Sequence, residues 1–305
     1  MLSERNDIEK YLFDYKNGLI KMGLGIDIED FDHHLRFKNG QLNMVNGFDN
    51  VGKTVWIIWY MLCLSVKHNL TWCIWSGENK PEQLTRQLIE MYSGRKLTNL
   101  SEKEIYRYME EIGQWFTFVS IKESYDNKQL YKIFEKSKCS GALIDPFTGL
   151  KREYTHASNY LFLNESREFV NKTGITLYVN THPHTDAARR THSEGYFEGY
   201  QIPPSKSQSE GGQPFANRVD DFITIHRYLG HKLEHYNTHI FVRKVKDTET
   251  GGRVNSIDEP ITFHYNDGLG FTHNNFNPLQ RKIEEVKPLF ANTNFYEKSD
   301  EPSPF

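Results

Sequence analysis

The sequence is poor in the features that mark several protein classes. Only three of its 305 residues are cysteine. Cys63, Cys73 and Cys139 sit in apolar surroundings with no ligand spacing, so they read as core residues of a reducing compartment, not as a disulfide framework. No run is long enough to span a bilayer, and no signal-peptide pattern opens the chain. Neither sign of charge dominates: 37 Lys and Arg face 40 Asp and Glu, a net charge of -3. Nucleic-acid contact must then come from local patches, not from a global field. Gly and Pro are concentrated only near Pro203 to Gly212 and at the C-terminus, which excludes a long linker elsewhere. Among the 13 histidines, His182, His184 and His192 cluster in sequence, but no cysteine or carboxylate spacing completes a metal site around them.

What the chain does contain is Gly47 Phe48 Asp49 Asn50 Val51 Gly52 Lys53 Thr54, a full match to G-x-x-x-x-G-K-[ST]. Gln41 to Asn46 before it reads as a strand, and Val55 to Leu64 after it as a buried helix. That context suits a phosphate-binding loop, in which backbone N–H groups and a helix N-terminus cradle the anion. Lys53 would reach the β/γ-phosphates and Thr54 a Mg²⁺ ion.

Along the chain, Glu4 to Lys21 reads as an amphipathic helix with Ile8, Leu12, Tyr15 and Leu19 on one face. Gly23 and Gly25 separate it from the core, and it could pack on its own domain or on a neighbouring subunit. Asp27 to Leu35 reads as a short helix or turn, and Lys38 to Gln41 as a tight turn. Further strands are expected at Trp72 to Ser76, Trp115 to Ile121, Ala142 to Asp145 and Ile175 to Asn180. Helices are expected at Pro81 to Met91, capped by Asn79, at Ser101 to Ile112, at Asn127 to Ser137 and at Tyr154 to Val170. Phe222 to Ile225, His239 to Val245 and Ile261 to Tyr265 follow without intervening helices and read as hairpin partners. The fold class is α/β: a largely parallel central sheet with antiparallel strands at its C-terminal side. The units are 1–22, a linker-type helix; 23–272, the core; and 273–305, a tail in which Leu279, Ile283 and Val286 suit one short helix.

In such a sheet ligands lie beyond the C-terminal strand ends. Lys53, Glu78, Asp145 and His182 each follow a different strand. Thr54 and Asp145 suit the metal, Glu78 the base that activates water, and His182 a sensor of the terminal phosphate. Glu78 also suits a surface helix start, and His182 an ordinary loop histidine. Arg189, Arg190 and Lys206 lie in a long polar loop that could hold phosphates of a nucleic acid. Tyr196, Phe197 and Tyr200 in the same loop could stack on bases or pack the loop down.

These motifs resemble the RecA-like motor domain of the DnaB-like hexameric replicative helicases, the family of phage primase-helicases and Twinkle. The likeness spans roughly Met22 to Thr272. It rests on the loop at Gly47–Thr54, on Ser76 Gly77 Glu78, on Ile144 Asp145 Pro146 Phe147, on His182, and on Gly211 Gly212 before Ala216 and Asp220. The resemblance implies a RecA-like P-loop NTPase core that binds ATP and Mg²⁺. Gly47, Asp49, Asn50, Val51, Gly52, Lys53, Thr54 and Val55 would line the nucleotide, with Arg227 and Tyr265 on either side of its base. It implies catalysis by Glu78, Lys53 and His182, and a ring of six around single-stranded DNA moving 5′ to 3′. A primase or loader would be a separate protein. The N-terminal helix would swap onto the adjacent subunit.

The family often places Lys-x-Arg on a late strand, reaching the neighbour's nucleotide. Here Arg243 Lys244 Val245 Lys246 stands instead; Lys244 and Lys246 share one face and suit that role, Arg243 on the opposite face could replace them, and the stretch also suits a solvated basic strand. A composition rich in Asn, Lys, Tyr and Phe points to a bacterium or phage, hence to the cytoplasm. The alternatives are a filament-forming recombinase or mediator of the same core fold, a regulatory P-loop ATPase without motor activity, and a small-molecule kinase.

Overall fold

The computed structural model describes residues 5–153 and 155–280. In chain order the elements are α1 (Arg5–Lys16), α2 (Glu29–Asp32), β1 (Leu42–Asn46), α3 (Lys53–His68), β2 (Trp72–Ser76), α4 (Pro81–Ser93), α5 (Glu102–Trp115), β3 (Phe116–Phe118), α6 (Asn127–Ser137) and β4 (Gly141–Asp145). Then come α7 (His156–Thr173), β5 (Thr176–Thr181), α8 (Thr185–Ala188), α9 (Gln213–Arg218), β6 (Asp221–His226), β7 (Asn237–Lys244), α10 (Thr248–Gly251), β8 (Ile261–Tyr265) and β9 (Phe271–Thr272).

All nine strands form one sheet in the order β3-β2-β4-β5-β1-β6-β7-β8-β9. Pairing is parallel from β3 through β1 to β6. It becomes antiparallel from β6 to β9, where no crossover helix is needed, although the β7–β8 connection carries the short α10 that the sequence reading did not expect. The central strands β1, β2, β4, β5 and β6 are buried along their whole length, as expected of a sheet covered on both faces. One face packs Trp56, Trp59, Tyr60 and Leu62 of α3 with Leu88 of α4 and Phe263 of β8. The other packs Leu130 and Phe134 of α6, Phe162 and Phe169 of α7, and Phe215 of α9. Helix α3 is apolar nearly all round because it is enclosed by sheet, α2 and β8. The three cysteines are buried and free, and burial raises each thiol pKa, that of Cys73 to about 12. Among the described residues no helix is long and apolar enough to cross a membrane.

Several sequence expectations need correction. The first helix ends at Lys16, because Gly18 turns left-handed and the amide of Leu19 bonds back to the Asp14 carbonyl. Leu19 therefore lies outside it. Ile8, Leu12 and Tyr15 stay exposed, so α1 has no apolar partner among the described residues; the Tyr15 hydroxyl bonds Glu249 at 3.2 Å. Lys80, not Asn79, is the N-cap of α4; the amide and side chain of Asn79 turn back to Ser76 Oγ. Trp115 ends α5 and leaves β3 only three residues long. A capping box between Ser101 and Glu104 opens α5. The Gly211–Asp220 stretch contains α9, and β9 was not anticipated. Residue 154, Ile283, Val286 and the rest of the tail beyond residue 280 lie outside the described residues.

Candidate nucleotide site

The strand order places β1 between β5 and β6, with β4 and β2 beyond β5, so four C-terminal strand ends open on one side of the sheet. The loop after β1 wraps into α3. Gly52 takes φ 86° and Asn50 φ 61°, and a Cβ on Gly47 would collide with the Ile225 carbonyl. Only glycine fits at position 47, and tight turns of this kind present successive backbone amides to an anion. Lys53 Nζ lies 2.8 Å from the carbonyls of Gly47 and Phe48 and 3.3 Å from His182 Nδ1. Burial lowers the pKa of Lys53, and the carboxylates of Asp145, Asp49 and Glu78 oppose that shift.

The Thr54 hydroxyl donates to Asp145, whose carboxylate also accepts from Ser76 Oγ at 2.9 Å and from the Asn180 amide at 2.6 Å. Asp145 is thus buried and held by groups from three other segments. One aspartate and one threonine hydroxyl, both hard oxygen donors, fit a Mg²⁺ ion that keeps most of its ligands from water and phosphate. Among the described residues no group of three His, Cys, Asp or Glu is set to hold a metal, so the site fits a phosphate-bound ion and not a protein-caged one.

His182, just beyond β5, faces both ends of the site. Its Nδ1 is 2.8 Å from Asp49 Oδ1, and its Nε2 is 3.8 Å from Glu78 Oε1. One nitrogen cannot serve two partners in one state: protonated, Nδ1 donates to Asp49; unprotonated, it accepts from Lys53. Glu78 is on the exposed loop after β2, free to turn toward a bound phosphate. Arg227, after β6, lies beside Gly52, and its guanidinium sits 5.1 Å from the centre of the Tyr265 ring. A base between them needs about 7 Å, twice the ~3.5 Å contact distance, so Arg227 and Tyr265 must part by about 2 Å to admit one. Arg227 is held meanwhile by the His235 carbonyl.

The expected partner-reaching cations lie elsewhere. Lys244 caps the end of α9, with Nζ 2.7 Å from the Asn217 carbonyl and 3.1 Å from that of Ala216. Lys246 is exposed and 3.3 Å from Asp220. A bulge opposite Phe222 and Ile223 interrupts the alternation of β7, and Arg243 lies over the Phe241 ring at 4.4 Å. The polar loop starts at His182 and returns beside it, since the Glu210 amide bonds the His182 carbonyl at 2.8 Å. Arg189, Arg190 and Lys206 on it are exposed, Arg189 beside Asp186 at 3.6 Å. Its aromatics pack the loop down: Phe197 stacks on Tyr228, and Tyr196 and Tyr200 lean on His231.

Sequence reasoning missed Asn180, Ser76 and Asn46. Ser76 and Asn46 close apolar strands and Asn180 is the last residue but one of β5, and a polar side chain at such a strand end is the signal that could have found them. Asn46 is wholly buried beside Gly47, and among the described residues its side-chain amide has no hydrogen-bond partner.

No family model matches the chain, and no curated protein does. Two solved structures share its fold at 10% identity. One, described as the ATPase domain of G40P, has a TM-score of 0.72 and covers 90% of this chain and 99% of that one. The other, a DnaB-like replicative helicase studied with its interactions with primase, has a TM-score of 0.67 and covers 89% of this chain and 67% of that one. Sheet order, loop geometry and these likenesses together give the chain a RecA-like P-loop NTPase fold.

Proposed function

We propose that the chain is an ATP-driven motor that moves along single-stranded DNA, working as a ring of identical subunits, six in number. The observation that carries this reading is the convergence of Lys53, Thr54 with Asp145, Glu78 and His182 from four strand ends around one concavity. The solved ATPase domain and replicative helicase of the same fold support it.

Bound Mg²⁺ supplies charge that offsets the developing negative charge of phosphoryl transfer. Thr54 and Asp145 would hold it. Lys53 would exchange its two carbonyl partners for phosphate oxygens, a stronger charge-assisted pairing. Glu78 would take a proton from the attacking water, and His182 would report the terminal phosphate to the loop that leaves it. Arg189, Arg190 and Lys206 would hold DNA phosphates without reading sequence. Lys246 would reach a neighbouring subunit, and Arg227 and Tyr265 would clasp the base. Residues 23–272 would form the motor unit, and 1–22 would link it to the next subunit.

The test is nucleotide hydrolysis with and without single-stranded DNA, alongside particle mass. DNA-stimulated turnover by a hexamer is the expected result. Turnover by a monomer, indifferent to DNA, would overturn the motor reading.

A further inference from the structure

A chain of ring contacts leads from the phosphate loop to the polar loop. Phe48 meets His226 edge to face, with centres 6.0 Å apart. His226 meets Tyr228 at 4.6 Å and 84°. Tyr228 then stacks on Phe197 at 3.7 Å and 7°, and its hydroxyl lies 3.2 Å from His192 Nε2. Phe197 and His192 both belong to the polar loop, and Phe48 to the segment whose carbonyl Lys53 grips.

His226 is the unusual member. It is buried, yet among the described residues neither ring nitrogen has a well-aligned hydrogen-bond partner, although the Gln201 backbone lies near enough to favour its protonated form. A buried polar group without a partner is costly and calls for a reason. Its ring is fixed mainly by packing, so it can tilt without breaking a well-formed bond. Phe48 is fixed partly by its carbonyl's bond to Lys53, which a phosphate would take away.

We infer that Phe48, His226, Tyr228 and Phe197 form a relay by which nucleotide at Lys53 repositions residues 192–200, independently of the covalent path through His182. When Lys53 turns to phosphate, the Phe48 carbonyl is released and its ring shifts against His226. His226 moves Tyr228, and Tyr228 carries the stacked Phe197 and the bonded His192 with it. These are positioning residues: none touches nucleotide. The inference rests on the nucleotide-binding reading of the Gly47–Thr54 loop.

Amide hydrogen exchange tests it on the full chain with ADP and with a non-hydrolysable ATP analogue. Protection of 47–54 reports binding. In the wild type, exchange across 192–200 should change about fivefold on binding, the lower end of ordinary coupling between sites. Phe197→Leu removes the stack and leaves the nucleotide loop untouched. It should bind nucleotide as tightly as wild type while 192–200 lose their response. Tyr228→Phe, which keeps the stack and drops the His192 bond, should retain most of it. Protection of 47–54 with an unresponsive 192–200 in the wild type, or a full response in Phe197→Leu, overturns the relay and leaves the nucleotide site standing. No protection at 47–54 removes both.

Discussion

The Thr54 hydroxyl stands 2.9 and 3.1 Å from the two carboxylate oxygens of Asp145, although their strands are separated in the sheet by β5. Asn180, from that intervening strand, holds Asp145 from the other side at 2.6 Å. The carboxylate is therefore aimed before any ligand arrives. Asn180→Ala should raise the Mg²⁺ concentration needed for half-maximal turnover by roughly 10- to 100-fold, the usual cost of losing a group that orients a metal ligand. A Mg²⁺ titration of the variant checks this; an unshifted titration would show that Asp145 is aimed by Ser76 and Thr54 alone.

Lys53 and Glu78 should separate binding from chemistry. Lys53→Ala should abolish turnover and weaken nucleotide binding, because the cation is buried and its three donors are already turned inward. Glu78→Gln should bind ATP normally and lose hydrolysis by about 100-fold or more, the range for removing general base catalysis. Equilibrium binding of a labelled nucleotide and single-turnover hydrolysis measure the two effects. Near-normal hydrolysis by Glu78→Gln would remove it as the base.

The parallel half of the fold was legible because its strands are short apolar runs with turn residues between them, and because Gly47 to Thr54 fixes where the first one ends. Trp72 to Ser76 and Asn127 to Ser137 form with the bounds read from sequence. What failed depended on contacts invisible to periodicity. Leu19 keeps the helical spacing, but Gly18 breaks the helix before it. Alternation along β7 gives way at a bulge that only the pairing with β6 reveals. At the site, Lys53, Thr54 and Asp145 carry a motif, whereas Asn180 and Ser76 are ordinary polar residues whose importance comes from facing Asp145.

Acid should destabilise the protein through His226. Burial, with His239 and His192 nearby, holds its pKa down to about 3, and the Gln201 backbone opposes that less strongly. The unfolded chain, with a His pKa near 6.5, binds this proton first, so stability falls as pH drops from about 6.5 toward 3. Asp221 works in the opposite sense. Burial raises its pKa to about 6, so the folded state takes its proton first and regains stability as pH falls from 6 toward 4. Denaturant unfolding of wild type and His226→Gln across pH 7 to 4 isolates the first contribution. The variant should lose less stability on acidification; parallel curves would show that His226 is not the group responsible.

Lys244 and Lys246 should behave differently despite their spacing. Lys244 binds two terminal carbonyls of α9, so Lys244→Ala should cost about 1 kcal/mol of stability, the ordinary worth of such bonds. Lys246 is exposed, and its pairing with Asp220 contributes little on its own account. Lys246→Ala should leave stability and nucleotide binding nearly unchanged while reducing turnover of the assembled protein. Equal turnover of variant and wild type at assembling concentrations would end its role across the subunit boundary.

The polar loop offers a quantitative test through salt. Each phosphate contact with single-stranded DNA releases counterions and contributes about 0.7 to the slope of log affinity against log salt. Arg189 and Arg190 are exposed at the start of the loop, and the backbone of Arg190 is fixed by bonds to Ala187 and Ile202. If both guanidinium groups meet phosphates, the double change Arg189→Ala with Arg190→Ala should flatten the slope by about 1.4. Adding Lys206→Ala should flatten it by about 0.7 more. ATP affinity should not move, because none of the three touches Lys53, Thr54 or Asp145. Fluorescence anisotropy of a labelled oligothymidylate from low to moderate salt gives the slopes. An unchanged slope in the triple variant would place any DNA contact on another surface, while an equal fall in ATP affinity would show that the loop had been disordered instead of discharged.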